Sequence, residues 1–212
     1  MFAAGSATLS SAGAAPSVVT KKITISATCT TLFCFVPMNR SVGSGVQVLW
    51  TNTTAAPHEL ALCDVTACGG VTRGTGTDTG FGSPVISGGG TYAFTFHGVG
   101  TYTYYCTIHG YTTMHGTITV DPAPTITTVA PTSLARGSSN VSFSVIGTGF
   151  RGGVKAKVSG TGVTVSPVVR VDSKHLTLML SAAPTAPVGK RTLTVTNTDG
   201  GRVIQARAIN VT

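Results

Sequence analysis

Hydrophobic and polar side chains alternate with a two-residue period along much of the chain, in short stretches that turns interrupt. This period places every second side chain on the same face of a strand, whereas a helix repeats every 3.6 residues. The stretches are rich in β-branched and aromatic residues, and glycines or prolines separate them. The pattern predicts an all-β protein, with strands over 18–26, 46–50, 59–63, 91–96, 100–106, 117–120, 125–129, 141–145, 163–165, 168–171, 176–180 and 191–195.

The segment Asp121-Pro-Ala-Pro124 marks a boundary between two halves of the chain. Two prolines in three residues stiffen the backbone and cannot donate to a sheet. The 212 residues are enough for two domains that each bury a core. Residues 1–16 have neither a basic start nor a compact apolar stretch, so we expect a flexible tail rather than an intact signal peptide. The predicted organisation is this tail, a β-sandwich over 17–121, a linker over 122–124 and a second β-sandwich over 125–212.

Three side chains that bind soft metals lie close together between two predicted strands. Two residues separate Cys106 from His109, and four separate His109 from Met114. A loop between strands can direct all three at one point, and His58, beyond the strand at 46–50, is the natural fourth donor. A thiolate, two imidazoles and a weak thioether are the donors of a type 1, or blue, copper site. The sequence therefore predicts one copper ion per chain, although zinc can occupy such a site in a recombinant sample.

The remaining four cysteines form two closely spaced pairs, Cys29 with Cys34 and Cys63 with Cys68. An even number of cysteines without a histidine cluster favours disulfides over a zinc site. Four cysteines allow three pairings, of which we favour the two local bonds, while a crossed arrangement stays open. Because disulfides form in oxidising compartments, we expect an exported protein that is extracellular, periplasmic or on the cell surface.

Two motifs surround the candidate ligands: Gly45-Val-Gln-Val-Leu-Trp-Thr-Asn52 followed by Pro57-His58, and Gly100-Thr-Tyr-Thr-Tyr-Tyr-Cys106-Thr-Ile-His109 followed by Met114-His-Gly-Thr-Ile-Thr-Val120. They resemble a plastocyanin-type cupredoxin over about residues 20–120. The resemblance implies a Greek-key β-sandwich with four copper ligands: His58, Cys106, His109 and Met114. One position departs from the family pattern, since Glu59 stands where a neutral residue such as Asn often takes part in a clamp between the two ligand loops.

The chemistry expected of this centre is electron transfer without catalysis. Such a donor set suits both Cu(I) and Cu(II), so little has to reorganise when an electron moves. We also expect backbone N–H groups near Asn52 and Thr107 to donate to the sulfur. Cys106 is flanked by Tyr105 and Thr107, so the histidines that a trinuclear oxidase cluster needs are missing at these positions. Because the sequence also lacks a nucleophile–base triad, a carboxylate pair or a phosphate loop with supporting context, we expect no enzyme.

The expected port for electrons is His109, with a redox protein docking near it. Small and apolar residues beside the two histidines form the candidate docking patch, which consists of Ala55, Ala56, Pro57, Gly110 and Tyr111. These residues could instead simply seal the copper from water, and both roles can hold together. The other histidines, His97, His115 and His175, are not expected to be ligands.

The C-terminal half contains Phe143-Ser-Val-Ile-Gly-Thr-Gly-Phe150 and Leu193-Thr-Val-Thr-Asn-Thr-Asp-Gly200. These segments resemble an IPT/TIG-type immunoglobulin-like domain over about residues 124–212, which implies a β-sandwich for binding or spacing. All of the net charge of +8 falls in residues 122–212. An acidic polymer, an acidic surface or a protein is therefore a candidate partner, and simple solvation of the sandwich is the alternative. The basic residues are not interspersed with aromatic ones, and no known nucleic-acid-binding motif is present, so the sequence gives no support for nucleic-acid binding.

Two functions from different classes remain compatible with the sequence. The favoured one is an exported blue-copper electron carrier whose second domain tethers it or binds a partner. The other is a self-assembling structural subunit of an extracellular surface layer or filament, in which copper is incidental or stabilising. The complete ligand set favours the carrier, because a purely structural role would not need Met114.

Overall fold

The computed structural model describes residues 18–30 and 32–212, and the tail predicted over 1–16 lies outside them. The regular elements of the described part are sixteen strands. Among these residues, no helix has the length and apolar character needed to cross a membrane. The strands are β1 (Thr20–Ser26), β2 (Cys34–Val36), β3 (Asn39–Gly43), β4 (Val46–Asn52), β5 (Leu60–Leu62), β6 (Thr91–Phe96), β7 (Gly100–Cys106), β8 (His115–Asp121), β9 (Thr125–Ala130), β10 (Ser133–Leu134), β11 (Val141–Thr148), β12 (Lys155–Val158), β13 (Val163–Arg170), β14 (His175–Ala182), β15 (Gly189–Thr196) and β16 (Arg202–Val211).

The first eight strands form two four-stranded sheets, in the orders β2-β1-β4-β6 and β3-β8-β7-β5. The pairs β1–β4 and β3–β8 are parallel, and the remaining neighbours are antiparallel. In β4 the side chains at Val46, Val48 and Trp50 are buried, while the residues between them are partly exposed, as the two-residue period predicts. The apolar faces of the two sheets share one core, which confirms the all-β prediction for this half.

Aromatic side chains fill the middle of that core. Trp50 donates its indole N–H to the hydroxyl of Tyr104 over 3.2 Å, and its ring contacts that of Phe81 at 5.4 Å between centroids. Tyr104 lies on β7, two residues before Cys106. Burial raises the pKa of Tyr104 far above its usual value, so the hydroxyl stays protonated. The packing fixes β7 in the sandwich and thereby fixes the position at which Cys106 leaves it.

The other eight strands form a second pair of sheets, in the orders β13-β14-β11-β9 and β10-β16-β15-β12, around a separate core. The strands predicted at 163–165 and 168–171 form a single strand, β13, with a register shift between Val165 and Val168. The strands β10, β12 and β16 were not predicted. In β16 the alternation is lost over 204–207, where four successive residues are exposed, and Arg207 adopts a positive φ of 56°. The division into domains over 17–121 and 125–212 stays a prediction.

The two sandwiches meet at a defined contact. Arg151 pairs with Asp121 at 2.8 Å and with Asp199 at 3.0 Å, which joins the end of β8 to the turn before β16. In the same place Gly43 lies so close to Gly201 that a Cβ at position 43 would collide with the Gly201 backbone. The Gly43 N–H also donates to the carbonyl of Asp199 over 3.3 Å.

Candidate metal centre

A tight turn between β7 and β8 carries three of the predicted ligands. The N–H of Gly110 donates to the carbonyl of Cys106 over 2.9 Å, and the N–H of Met114 donates to the carbonyl of Gly110 over 3.0 Å. The N–H of Cys106 donates back to the carbonyl of Met114 over 3.0 Å. Gly110 has a φ of 77°, which is costly for other residues, so the turn depends on a glycine there. These bonds draw His109 and Met114 back towards Cys106.

The fourth predicted ligand reaches the same place from the other ligand loop. His58 forms an isolated bridge with Ile86 just before β5, and β5 pairs with β7 so that Leu60 lies opposite Cys106. The Sγ atom of Cys106 is 3.2 Å from Nδ1 of His109 and 3.7 Å from Nδ1 of His58. The ligand atoms of these three residues all lie within 4.8 Å of one another. The structure therefore brings together the thiol and both imidazoles.

A hydrogen-bond chain fixes the orientation of the buried His58 ring. Oγ1 of Thr54 lies 3.0 Å from Nε2 of His58 and donates its proton to Oδ1 of Asn52 over 2.8 Å. Because the hydroxyl proton is used in this way, Oγ1 accepts from Nε2–H of His58. The amide of Asn52 donates in turn to the carbonyls of Ala56 and Ile86, at 2.8 and 2.9 Å. With Nε2 protonated, the lone pair of Nδ1 points at the Cys106 sulfur. This is the tautomer that a metal ligand needs.

The environment of His58 also keeps the ring neutral. Burial, with a smaller contribution from charge repulsion by the neighbouring His109, lowers the pKa of His58 from 6.5 to about 4. A neutral imidazole can donate its lone pair to a metal, whereas an imidazolium cannot. The side chain is therefore ready to bind metal over the neutral pH range.

The two ligand loops are clamped through the residue that departs from the family pattern. Thr107 donates its hydroxyl to Oε2 of Glu59 over 2.7 Å and its N–H to the Glu59 carbonyl over 2.9 Å. The N–H of Asn52 donates to the carbonyl of Gly90 over 2.9 Å. Carbonyl oxygens accept the N–H groups of Asn52 and Thr107, so neither of these two groups donates to the sulfur. A donor from a neighbouring residue stays a prediction.

The fourth donor, Met114, is almost completely buried in the core of the first sandwich. It borders a cavity of about 310 Å³ that Cys29 and Cys34 also line. Its assignment as the fourth ligand stays a prediction.

The cysteines adopt the pairing that the sequence favoured. Cys29 bonds to Cys34, and Cys63 bonds to Cys68, with Cα atoms 6.1 and 5.6 Å apart. Cys106 is the free cysteine of the described residues, and it is buried. Its thiol is thus available as a metal ligand and not as a disulfide partner.

The residues of the predicted docking patch flank the two histidine ligands along the chain. Ala55 and Pro57 are exposed, and Ala56, Gly110 and Tyr111 are partly buried. Sequence analysis did not include Ile108 in this patch, although its side chain is 47% exposed. Ile108 directly precedes the predicted ligand His109, so its position in the sequence could have identified it as a member of the docking patch.

The remaining histidines take other roles. His115 donates its Nδ1–H to the carbonyl of Tyr111 over 2.8 Å and stacks on the Tyr111 ring at 4.4 Å. His97 is exposed. Nδ1 of His175 donates to the carboxylate of Asp172, three residues upstream, over 2.9 Å.

Sequence analysis also missed an aromatic side chain that contacts both histidine ligands. The Phe33 ring lies 4.9 Å from that of His58 and 4.6 Å from that of His109, between centroids. Phe33 sits inside the predicted Cys29–Cys34 loop, but nothing in the sequence indicates that this loop reaches the ligands.

Comparison with known proteins supports a cupredoxin-type copper centre. Residues 18–121, just under half of the chain, match the family described as copper binding proteins, plastocyanin/azurin family. A solved structure titled as a novel purple cupredoxin from Nitrosopumilus maritimus is 28% identical, over 47% of this chain and 98% of that one, with a TM-score of 0.38. A mutant of amicyanin in its Cu(I) form is 25% identical, over 50% of this chain and 85% of that one, with a TM-score of 0.36.

The family match and the donor atoms agree on copper as the cofactor. The residues fit this metal because a buried free thiol faces two imidazole nitrogens, with a buried thioether on the same turn. The thiol of Cys106 and the imidazoles of His58 and His109, with Met114 as the predicted fourth donor, match the donor set of a type 1 copper site. The family match ends at residue 121, so the immunoglobulin-like resemblance of the C-terminal half stays a prediction.

Proposed function

We propose that this protein is an exported carrier of single electrons that uses one type 1 copper ion. The observation that supports it most directly is the donor geometry, in which Cys106 Sγ already lies 3.2 and 3.7 Å from the two Nδ1 atoms. Donors that are held together by the fold move little when the charge of the metal changes. Copper would supply the one-electron couple, and the chain would supply this rigid frame.

We propose electron transfer without catalysis because the four donors leave no ligand position for a substrate. Catalytic metal sites keep such a position open. The half-buried His109 lies nearer to solvent than the fully buried His58, which makes it the better port for electrons. Its neighbours Ile108 and Gly110, with Ala55 and Pro57 on the other ligand loop, offer the small and apolar surface on which a redox protein would dock weakly.

The proposed role of the C-terminal domain is to tether the carrier to an acidic polymer outside the cell. Lys155 and Lys157 are both exposed on β12, and Arg207 is exposed on β16. The immunoglobulin-like resemblance and the charge of this half support the proposal. Retention of the full chain on an anionic polysaccharide, weakened by salt and by Lys155→Glu with Lys157→Glu, tests it. Equal retention of the variant would contradict it.

The copper centre is tested by adding Cu(II) to the metal-free protein while the visible spectrum is recorded. We expect an intense blue thiolate-to-copper band that saturates at one copper per chain and bleaches with ascorbate. Cys106→Ser should abolish the band. Absence of the band, or its persistence in Cys106→Ser, would reject the electron carrier and favour the structural subunit of a surface layer or filament.

A further inference from the structure

The ring of Phe33 meets both histidine ligands at the edge of the metal centre. Its plane is inclined at 85° to that of His58 and at 54° to that of His109. The two histidine rings lie 4.7 Å apart, so the three rings form one cluster. At these distances, edge-to-face and tilted rings attract one another beyond simple burial.

The backbone next to Phe33 is anchored in the sandwich. Cys34 is bonded to Cys29, and it is also the first residue of β2, which pairs with β1. The following residue, Phe35, is buried, and its ring packs on Tyr104 at 4.7 Å. The disulfide and the strand therefore hold the point from which the Phe33 side chain extends.

The exposure of the three rings indicates what Phe33 does there. His58 is fully buried, whereas Phe33 and His109 are half-buried. One part of the phenyl ring therefore contacts the histidines, and another part faces solvent. It occupies volume that water or a small anion would need in order to approach the metal donors from this side.

We propose that Phe33 is a positioning residue that holds His58 and His109 in their metal-binding orientation and shields the copper from small anionic ligands. The Cys29–Cys34 disulfide fixes it in this place. The inference rests on the copper centre of the proposed function, but it does not depend on electron transfer to any partner.

Azide binding to the copper-loaded full chain tests the shielding. We expect Phe33→Ala to bind azide about tenfold more tightly than the wild type, and the bound azide should give a new charge-transfer band. Removing the phenyl ring takes away its contacts with the two histidines and opens the path by which azide reaches the copper. Leu32→Ala is the matched control, since this neighbour is 69% exposed, and it should behave like the wild type. Equal azide affinity in Phe33→Ala and the wild type would overturn the shielding.

The double variant Cys29→Ser with Cys34→Ser tests the role of the disulfide. We expect its azide affinity to rise towards that of Phe33→Ala, because Phe33 loses its covalent anchor. Wild-type affinity in this variant would show that the strand alone holds the ring, and would overturn that part of the proposal.

Nuclear magnetic resonance of the metal-free full chain tests the positioning without copper. In the wild type, the Cε1–H signals of His58 and His109 should carry ring-current shifts from Phe33, and Phe33→Leu should remove them. Unchanged signals in Phe33→Leu would overturn the positioning. A wild type with shifted signals but no blue band would reject the proposed function and still support the positioning.

Discussion

Glu59 and Thr107 join the two ligand loops through a carboxylate–hydroxyl hydrogen bond of 2.7 Å and a backbone hydrogen bond of 2.9 Å. Glu59 follows His58, and Thr107 follows Cys106. The pair therefore fixes the relative position of two metal donors that come from distant parts of the chain. A charged acceptor makes this bond stronger than one between neutral groups, although its partial exposure to water weakens it.

We expect Glu59→Ala and Thr107→Val each to lower the free energy of unfolding of the metal-free protein by about 0.5–1.5 kcal/mol. Both changes remove the same side-chain hydrogen bond, so the double variant should be less destabilised than the sum of the single ones. Urea unfolding of all four proteins measures this coupling. Additive effects would show that the two side chains do not interact.

The hydrogen bond between His58 and Thr54 predicts that a substitution at Thr54 lowers the affinity for copper. Thr54→Val removes the hydroxyl that accepts the Nε2–H of His58. Without this acceptor the ring can adopt other orientations and tautomers, so we expect the copper affinity to fall about 10–100-fold. Competition with a chelator of known affinity measures the change.

Thr54→Ser is the matched control for this experiment, because it keeps the hydroxyl and loses only a methyl group. Its copper affinity should stay close to that of the wild type. A loss in Thr54→Ser as large as that in Thr54→Val would trace the effect to packing of the loop instead of the hydrogen bond.

The ligands could be found from the sequence because their chemistry is local. Cys106, His109 and Met114 fall within nine consecutive positions that form one turn. The strands on both sides of this turn show a clear alternation of residue types. The disulfides could also be predicted from the sequence, since the two cysteines of each bond are only 5 residues apart. Where a contact depends on neighbours along the chain, residue type and spacing suffice to predict it.

Contacts between distant segments could not be predicted in this way. Phe33 is 25 residues from His58 and 76 from His109, and the pairing of β2 with β1 together with the Cys29–Cys34 disulfide brings it to them. The partners of the Thr107 and Asn52 N–H groups likewise depend on which carbonyls the fold places opposite them. The strand β16 was missed because its exposed stretch at 204–207 lacks the two-residue alternation.

The lowered pKa of His58 predicts how the stability of the metal-free protein depends on pH. The pKa is about 4 in the folded protein and 6.5 for an unperturbed histidine of the unfolded chain, so between these values the unfolded chain binds the extra proton. Stability is therefore full above about pH 6.5 and falls as the pH drops towards 4, by on the order of 3 kcal/mol. Urea unfolding between pH 4 and pH 7 measures the fall.

The variant His58→Gln provides the comparison, because glutamine does not titrate in this range. Its stability should vary less between pH 4 and pH 7 than that of the wild type. The same pH dependence in both proteins would assign the fall to other groups.

Arg151 links the two sandwiches, and its removal should weaken that link. The side chain of Asp199 is only 5% exposed, so losing the guanidinium leaves a nearly buried carboxylate without its ion pair. We expect Arg151→Met to lower the free energy of unfolding by about 1–3 kcal/mol, below the range for fully buried pairs because Arg151 itself is 42% exposed. Denaturant unfolding of the full chain measures the loss.

Arg136→Met is the control, because it removes the same charge from an exposed position of the C-terminal half. Substitutions at such surface positions change stability by no more than about 0.5 kcal/mol. If Arg151→Met is no more destabilising than Arg136→Met, the ion pair between Arg151 and Asp121 does not hold the sandwiches together. The close contact between Gly43 and Gly201 and the hydrogen bond from Lys21 Nζ to the Thr198 carbonyl would then remain between the sandwiches, and Gly43→Ala, which must displace the Gly201 backbone, should show the larger loss.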